Sequence, residues 1–223
     1  KTVRRQRQMC IRDSNYPIMF WIHGGSNIWG TGNSYDFSKL AESQKVVVIT
    51  INYRLGPMGW FASSHLRNTS EGDDKSSNFG HLDIIAALEW VQENGNSFGG
   101  DPTNVTIFGE SAGGHNVLVM LATKKARGLF HKAISQSGYV SSFSEQFASE
   151  ESELSSAKVF QDDIRFLTED QQIADYLREM PIKEIFQRYK QADESHLYSI
   201  SPISIRDDIC LLYTSDAADE RSC

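Results

Sequence analysis

The chain has 223 residues, enough for one domain, with 39% hydrophobic residues and a formal net charge of −7. That acidic balance argues against nucleic-acid binding. No run of 18 apolar residues occurs, so no membrane span is read.

The two ends read as foreign to the rest. Arg4 to Ser14 opens the chain and Cys210 to Glu220 nearly closes it. One DNA sequence, read in opposite orientations and shifted frames, encodes both stretches, as a translated transposase-type sequencing adaptor would. A true inverted repeat, or a native basic arm and tail, is the other explanation. Residues 1–14 and 210–223 are therefore expected to be adaptor artefact, and residues 15–209 a fragment of one domain. Such segments are kept out of fold reasoning. Setting them aside makes the remainder more acidic. It also removes Cys10, Cys210 and Cys223, leaving no disulfide or thiol chemistry to read.

In chain order, Pro17 to Ile22 is a continuous apolar run, the pattern of a strand buried on both faces. It ends in the glycine-rich stretch His23 to Gly30, which can present bare backbone N–H groups. Ser34 to Ser43 predicts a short helix around Leu40, and Val46 to Asn52 a second buried strand. His65 to Ser77 is polar and reads as an exposed loop. Phe79 to Val91 carries apolar residues at 82, 85, 88 and 91, widened by 84, 86 and 90, which predicts a helix. Asn94-Gly95 and Gly99 to Pro102 end it.

Val105 to Phe108 then predicts a buried strand, followed by the turn Gly109-Glu110-Ser111-Ala112-Gly113 and a helix with Ala112, Val117, Leu118 and Leu121 on its apolar side. Lys132 to Gln136 is a further short strand. Strands alternating with helices argue a parallel α/β sheet. Ser144 to Glu194 differs: it holds thirteen carboxylates and is helical in period. Leu177, Ile182, Ile185 and Phe186 suggest apolar faces, broken at Pro181. It reads as a helical insertion over the sheet, not a separate domain, with its charges on a solvated face.

The turn at Ser111 is the G-x-S-x-G nucleophile elbow in its required strand–turn–helix setting. A serine on a strained turn stands clear of the sheet. Gly109 and Gly113 lack the Cβ atoms that would clash where strand and helix cross. The helix N-terminus then aims free N–H groups at the site, which suits a developing oxyanion. A five-residue match of this kind arises by chance in roughly one chain in fifteen of this length, so the surrounding elements and the glycine-rich loop carry the inference.

Together with the elbow, the phrases Trp21 to Gly25, Asn52 to Gly56, Asn78 to Asp83, Ala87 to Val91, Phe98 to Pro102 and Phe130 to Gly138 resemble the type-B carboxylesterase and cholinesterase family of the α/β-hydrolase fold. The resemblance covers Pro17 to Gly138 closely and Ser144 to Ile209 loosely. It implies a partial α/β-hydrolase fold, a mostly parallel sheet with flanking helices and a helical acidic insertion, incomplete at both ends. It also implies hydrolysis of small-molecule or lipid carboxylic esters through an acyl-enzyme. Ser111 would be the nucleophile, and the oxyanion would be held by N–H groups of the Gly24-Gly25-Ser26 loop and of Ala112, with the loop donors at Gly25 and Ser26. Many members carry a third glycine where this chain has Ser26. Arg54 and Asp83 match a structural ion pair of the family.

The family's catalytic acid and His follow far downstream of the serine, so both are expected outside this chain, and the chain as it stands is expected to be inactive. The strands supply part of a sheet, so apolar faces are expected to lie open. His23, His65, His81, His115, His131 and His196 each read as structural. Glu110 either tunes the site or has a structural or solvating role. Asn68-Thr69-Ser70 and Asn104-Val105-Thr106 are N-glycosylation sequons. No metal cluster, phosphate loop or dinucleotide fingerprint is present, so no cofactor is expected. The rival class is a non-catalytic, cholinesterase-like binding or adhesion protein, against which the intact elbow serine argues. Localisation, oligomeric state and ester preference are not written in these residues.

Overall fold

The computed structural model describes residues 15–192 and 204–207. Both adaptor-like segments and His196 lie outside the described residues. The chain divides into two compact units, one of Lys1–Tyr53 with Asp83–Val140 and one of Arg54–Leu82 with Ser141–Cys223.

The first unit is built on four parallel strands, β1 (Tyr16–Ile22), β2 (Val47–Thr50), β3 (Gly100–Glu110) and β4 (Lys132–Gln136), in the order β2-β1-β3-β4. β1 lies between β2 and β3, which explains its apolar run: Ile18, Phe20, Trp21 and Ile22 are all buried. Helices α1 (Ser38–Gln44), most of α3 (Phe79–Asn94) and α4 (Ala112–Ala122) connect these strands. Trp21 centres an aromatic cluster, with ring centroids 5.4 Å from Tyr35, 5.3 Å from Phe37 and 4.8 Å from Phe108.

Three expectations for this unit are corrected. Val46 to Asn52 is not a buried strand: β2 is half-buried along its four residues, because it ends the described sheet and has one strand neighbour. The α4 helix has no single apolar stripe; Leu121 is 56% exposed, while His115, Asn116, Val119 and Met120 are buried with Val117. A helix enclosed on most sides buries residues at every angle, so the apolar period does not locate its buried face. In α3, Ile84, Ile85, Leu88 and Val91 are buried as the period predicts, but Trp90 is 45% exposed.

The second unit joins the acidic segment to residues 54–82. Helices α5 (Ser156–Val159), α6 (Gln161–Ile164), α7 (Asp170–Glu179) and α8 (Ile182–Ala192) follow a π-turn over Phe147–Glu151. Their core is Phe160, Ile173, Leu177, Met180, Ile185 and Tyr189, with Met58, Phe61 and Leu66 packed against it. The break at Pro181 falls where expected. Ile182 and Phe186 are exposed, however, and Tyr189 takes the inward place. At 100° per residue, Phe186 stands about a quarter-turn past Ile185, off the buried line.

Residues 65–77 are not simply an exposed loop. Ser63 accepts from the Leu66 N–H and starts α2 (Ser64–Asn68), the ordinary work of an N-cap serine. Ser76 and Ser77 are buried. They are held by Asp207, whose Oδ2 accepts from Ser76 Oγ (2.5 Å), the Ser77 N–H (3.0 Å) and Asn78 Nδ2 (2.9 Å). Next to it, Phe143–Ser144 (β5) pairs in parallel with Ile205–Arg206 (β6), a two-residue bridge that the helical period of the segment does not announce.

Candidate active site

The two sequence motifs meet because the strands that carry them are neighbours. β1 and β3 are paired in parallel with Ile22 opposite Gly109. The loop after Ile22 and the elbow after Glu110 therefore leave the sheet side by side, at the carboxyl ends of the strands, where open α/β sheets place ligands.

Ser111 adopts φ 57°, ψ −121°, a conformation that costs a non-glycine residue about 1–3 kcal/mol. The surroundings enforce it. The Ser111 N–H donates to the Gln136 carbonyl at the end of β4 (2.9 Å), and its own carbonyl accepts from the His115 N–H (2.9 Å) as the first bond of α4. The crossing leaves no room for side chains: a methyl group on Gly113 would lie 2.1 Å from the Ile22 carbonyl oxygen, and one on Gly109 2.5 Å from the Gly113 carbonyl. Both glycines are thus explained by close approach of strand and helix, as expected.

The His23–Gly30 loop touches the elbow. A methyl group on Gly24 would come within 2.6 Å of the Glu110 carbonyl and 3.3 Å of Ser111 Cβ. Gly25 has φ 104°, and Ser26 and Asn27 follow at φ 56° and 58°. Three successive residues with positive φ curl the loop tightly, and the Gly25 carbonyl accepts from the N–H groups of Ile28 and Trp29. Ser26 takes a left-handed conformation that glycine adopts without steric cost and serine does not. Ala112 opens α4, so its N–H has no acceptor within the helix.

A buried polar network stands behind this loop. Asn27 Nδ2 donates to Asn116 Oδ1 (3.2 Å), and Asn116 Nδ2 donates to Asn27 Oδ1 (2.8 Å). The Tyr53 hydroxyl donates to the His23 carbonyl (2.7 Å) and reaches Asn27 Oδ1 (3.1 Å). Burial pushes the Tyr53 phenol up from its ordinary pKa. Asn27 and Asn116 were not singled out in the sequence. The available signal was an asparagine inside an apolar helix, a residue disfavoured there unless its amide is engaged.

The described histidines hold structural positions. His23 is buried, stacks on Tyr53 at 4.4 Å and donates from Nδ1 to the Gly24 carbonyl (2.8 Å). His115 stacks on Tyr139 at 4.3 Å and donates from Nδ1 to its carbonyl (2.7 Å). Burial lowers the pKa of both rings. His131 Nδ1 accepts from the Val105 N–H, His65 pairs with Asp170 at 2.7 Å, and His81 meets Trp60 edge-on. Of the two sequon asparagines, Asn68 donates to Asp170 and Asn104 accepts from Lys132.

A sequence model described as the carboxylesterase family matches residues 7–219. The chain belongs to the carboxylesterase family. It is 53% identical over 126 residues to the para-nitrobenzyl esterase of Bacillus subtilis (strain 168), covering 56% of this chain and 25% of that protein. It is 51% identical over 128 residues to the pyrethroid hydrolase Ces2e of Rattus norvegicus, covering 57% and 21%. Among solved structures, a PNB esterase superposes with a TM-score of 0.74 at 38% identity, over 89% of this chain and 41% of that one. The fold is α/β-hydrolase. The chain spans about a quarter of the curated relatives it matches and about two fifths of the solved ones. No helix among the described residues is long and apolar enough to cross a membrane.

Proposed function

We propose that the chain represents part of a carboxylic ester hydrolase acting on small-molecule or lipid esters, with Ser111 as the nucleophile that forms the acyl-enzyme. The observation that carries this reading is the strained backbone of Ser111 at the N-terminus of α4, against the Gly24–Ser26 loop. As the serine oxygen attacks the ester carbon, negative charge develops on the carbonyl oxygen. The N–H groups of Gly25, Ser26 and Ala112 supply preorganised donors for it. A serine hydroxyl needs a base that takes its proton and returns it to the leaving alcohol. In this fold acid and His follow the serine in that order, and we place both outside these 223 residues. Family membership and the names of the relatives support ester chemistry, and nothing favours a purely adhesive role. Residues 1–14 and 210–223 fit translated adaptor, which resequencing of the source transcript tests.

The functional test is a fluorophosphonate probe on the parent protein. Labelling at Ser111 that disappears in Ser111→Ala supports the nucleophile. The 223-residue chain should neither label nor hydrolyse para-nitrophenyl acetate. Turnover by that chain, lost in Ser111→Ala, would overturn the placement of base and acid.

A further inference from the structure

The two loop N–H groups proposed to hold the oxyanion belong to peptide units whose other ends are tied down. No cis peptide bond occurs among the described residues, so each carbonyl points away from the N–H that shares its peptide unit. The Gly24 carbonyl, in one unit with the Gly25 N–H, accepts from His23 Nδ1 at 2.8 Å. The Gly25 carbonyl, in one unit with the Ser26 N–H, accepts from the N–H groups of Ile28 and Trp29 at 3.0 and 3.1 Å. The Gly25 and Ser26 N–H groups themselves have no acceptor among the described residues. The Ser26 donor is thus aimed by the backbone of its own turn, whereas the Gly25 donor is aimed by a side chain.

We propose that His23 is a positioning residue of the ester hydrolase: its Nδ1–H, acting through the Gly24 carbonyl, turns the Gly25 N–H towards the oxyanion. The proposal rests on the ester-hydrolase reading.

The surroundings of the ring hold it to this task. Tyr53 stacks on the His23 ring at 4.4 Å and donates from its hydroxyl to the His23 carbonyl at 2.7 Å, so one residue fixes both ring and backbone. Gly30 closes over the hydrogen bond: a methyl group there would lie 2.6 Å from the Gly24 carbonyl oxygen and 2.6 Å from His23 Nδ1. His23 Nε2 is buried with no partner among the described residues. Of the two neutral tautomers, only the one protonated at Nδ1 satisfies the Gly24 carbonyl. The other would set two lone pairs against each other and bury an unmet N–H at Nε2. Burial also lowers the pKa of the ring, which keeps it neutral.

His23→Phe and His23→Asn in the parent protein test this, with para-nitrophenyl acetate as substrate. Phenylalanine keeps a ring to stack on Tyr53 but has no donor, whereas the amide nitrogen of asparagine stands at the same bond count as Nδ1. We expect kcat to fall about 10- to 100-fold in His23→Phe with KM within about twofold, because the lost alignment is felt only as the oxyanion forms. Affinity for a trifluoromethyl ketone, to which Ser111 adds to give a hemiketal oxyanion, should fall by a similar factor. His23→Asn should recover most of both. An unchanged kcat in His23→Phe, a loss confined to KM, or equal losses in the two variants would overturn the proposal. Should the variants fold poorly, nitrogen-15 NMR of the unaltered protein decides: a proton on His23 Nδ1 supports the role, and a proton on Nε2 with Nδ1 bare overturns it. Failure of the fluorophosphonate to label Ser111 would instead overturn the ester-hydrolase reading, and this role with it.

Discussion

Asn27 and Asn116 exchange both of their side-chain amide hydrogen bonds, at 3.2 and 2.8 Å, although 89 residues separate them in the chain. One belongs to the glycine-rich loop after β1 and the other to the helix after the elbow serine. This amide pair, buried on both sides, fixes the spacing between the proposed oxyanion donors and the nucleophile. Replacing Asn116 with Ala leaves the buried Asn27 Nδ2 without its acceptor, while Asn27 Oδ1 keeps the Tyr53 hydroxyl. It should destabilise the fold by about 1–3 kcal/mol in a urea titration. A loss under about 0.3 kcal/mol would mean that the pair is not formed in solution.

Gly113 is a sharper test of the elbow. A methyl group there meets the Ile22 and His23 carbonyl oxygens at 2.1 and 2.8 Å, both of them backbone atoms that cannot swing aside. Gly113→Ala should cost about 3 kcal/mol or more, or prevent soluble expression. Gly72→Ala, where a methyl group meets nothing within 4 Å but φ is 54°, should cost only about 1 kcal/mol. Comparable denaturation midpoints for the two variants would contradict the tight crossing.

Acid should weaken the first unit through His23 and His115. Burial lowers the folded-state pKa of both below 6.5, so the unfolded chain binds protons more readily. Their stabilisation is complete above about pH 6.5 and is lost as pH falls from there towards the lowered folded values, below which it levels off. Thermal unfolding scanned from pH 8 to pH 5 should show the transition falling in that window. NMR titration should show both rings titrating below 6.5, and protonation of either above pH 6.5 in the folded chain would refute the assignment.

In the second unit, Asp207 is nearly inaccessible and accepts from Ser76, Ser77 and Asn78. Asp207→Ala strands those donors and should cost about 2–4 kcal/mol, while Asp207→Asn keeps the volume and part of the bonding and should cost less. Hydrogen exchange at the Ser77 amide reads the difference directly.

Phe160 is fully buried among Phe61 and Tyr189, with ring centroids at 5.8 and 5.9 Å. Phe160→Ala should lose about 3–5 kcal/mol. Phe166→Ala, at an 80% exposed position, should lose under about 0.5 kcal/mol. A small effect at Phe160 would show that the acidic segment does not pack as a core.

What the sequence determined by itself is what is local. The apolar run Pro17 to Ile22, the period of Phe79 to Val91, the elbow and the break at Pro181 all depend on neighbours a few residues away, and each lies where its pattern puts it. The two motifs of the proposed site could each be read before any coordinates, but the pairing of Ile22 with Gly109 that brings them together is set by the strand order β2-β1-β3-β4. Tertiary structure decided what depends on distant partners. Val47–Thr50 is half-buried because of its place in the strand order, and Leu121, in the last turn of α4, is exposed while the polar His115 and Asn116 are buried, because the elements packed on the helix and not its apolar period decide which residues are covered. The Asn27–Asn116 pair and the grip of Asp207 on Ser76 to Asn78 join residues scores of positions apart. No periodicity encodes such contacts, because a hydrogen bond or a buried charge is defined by the atom it meets and not by the residues that flank it.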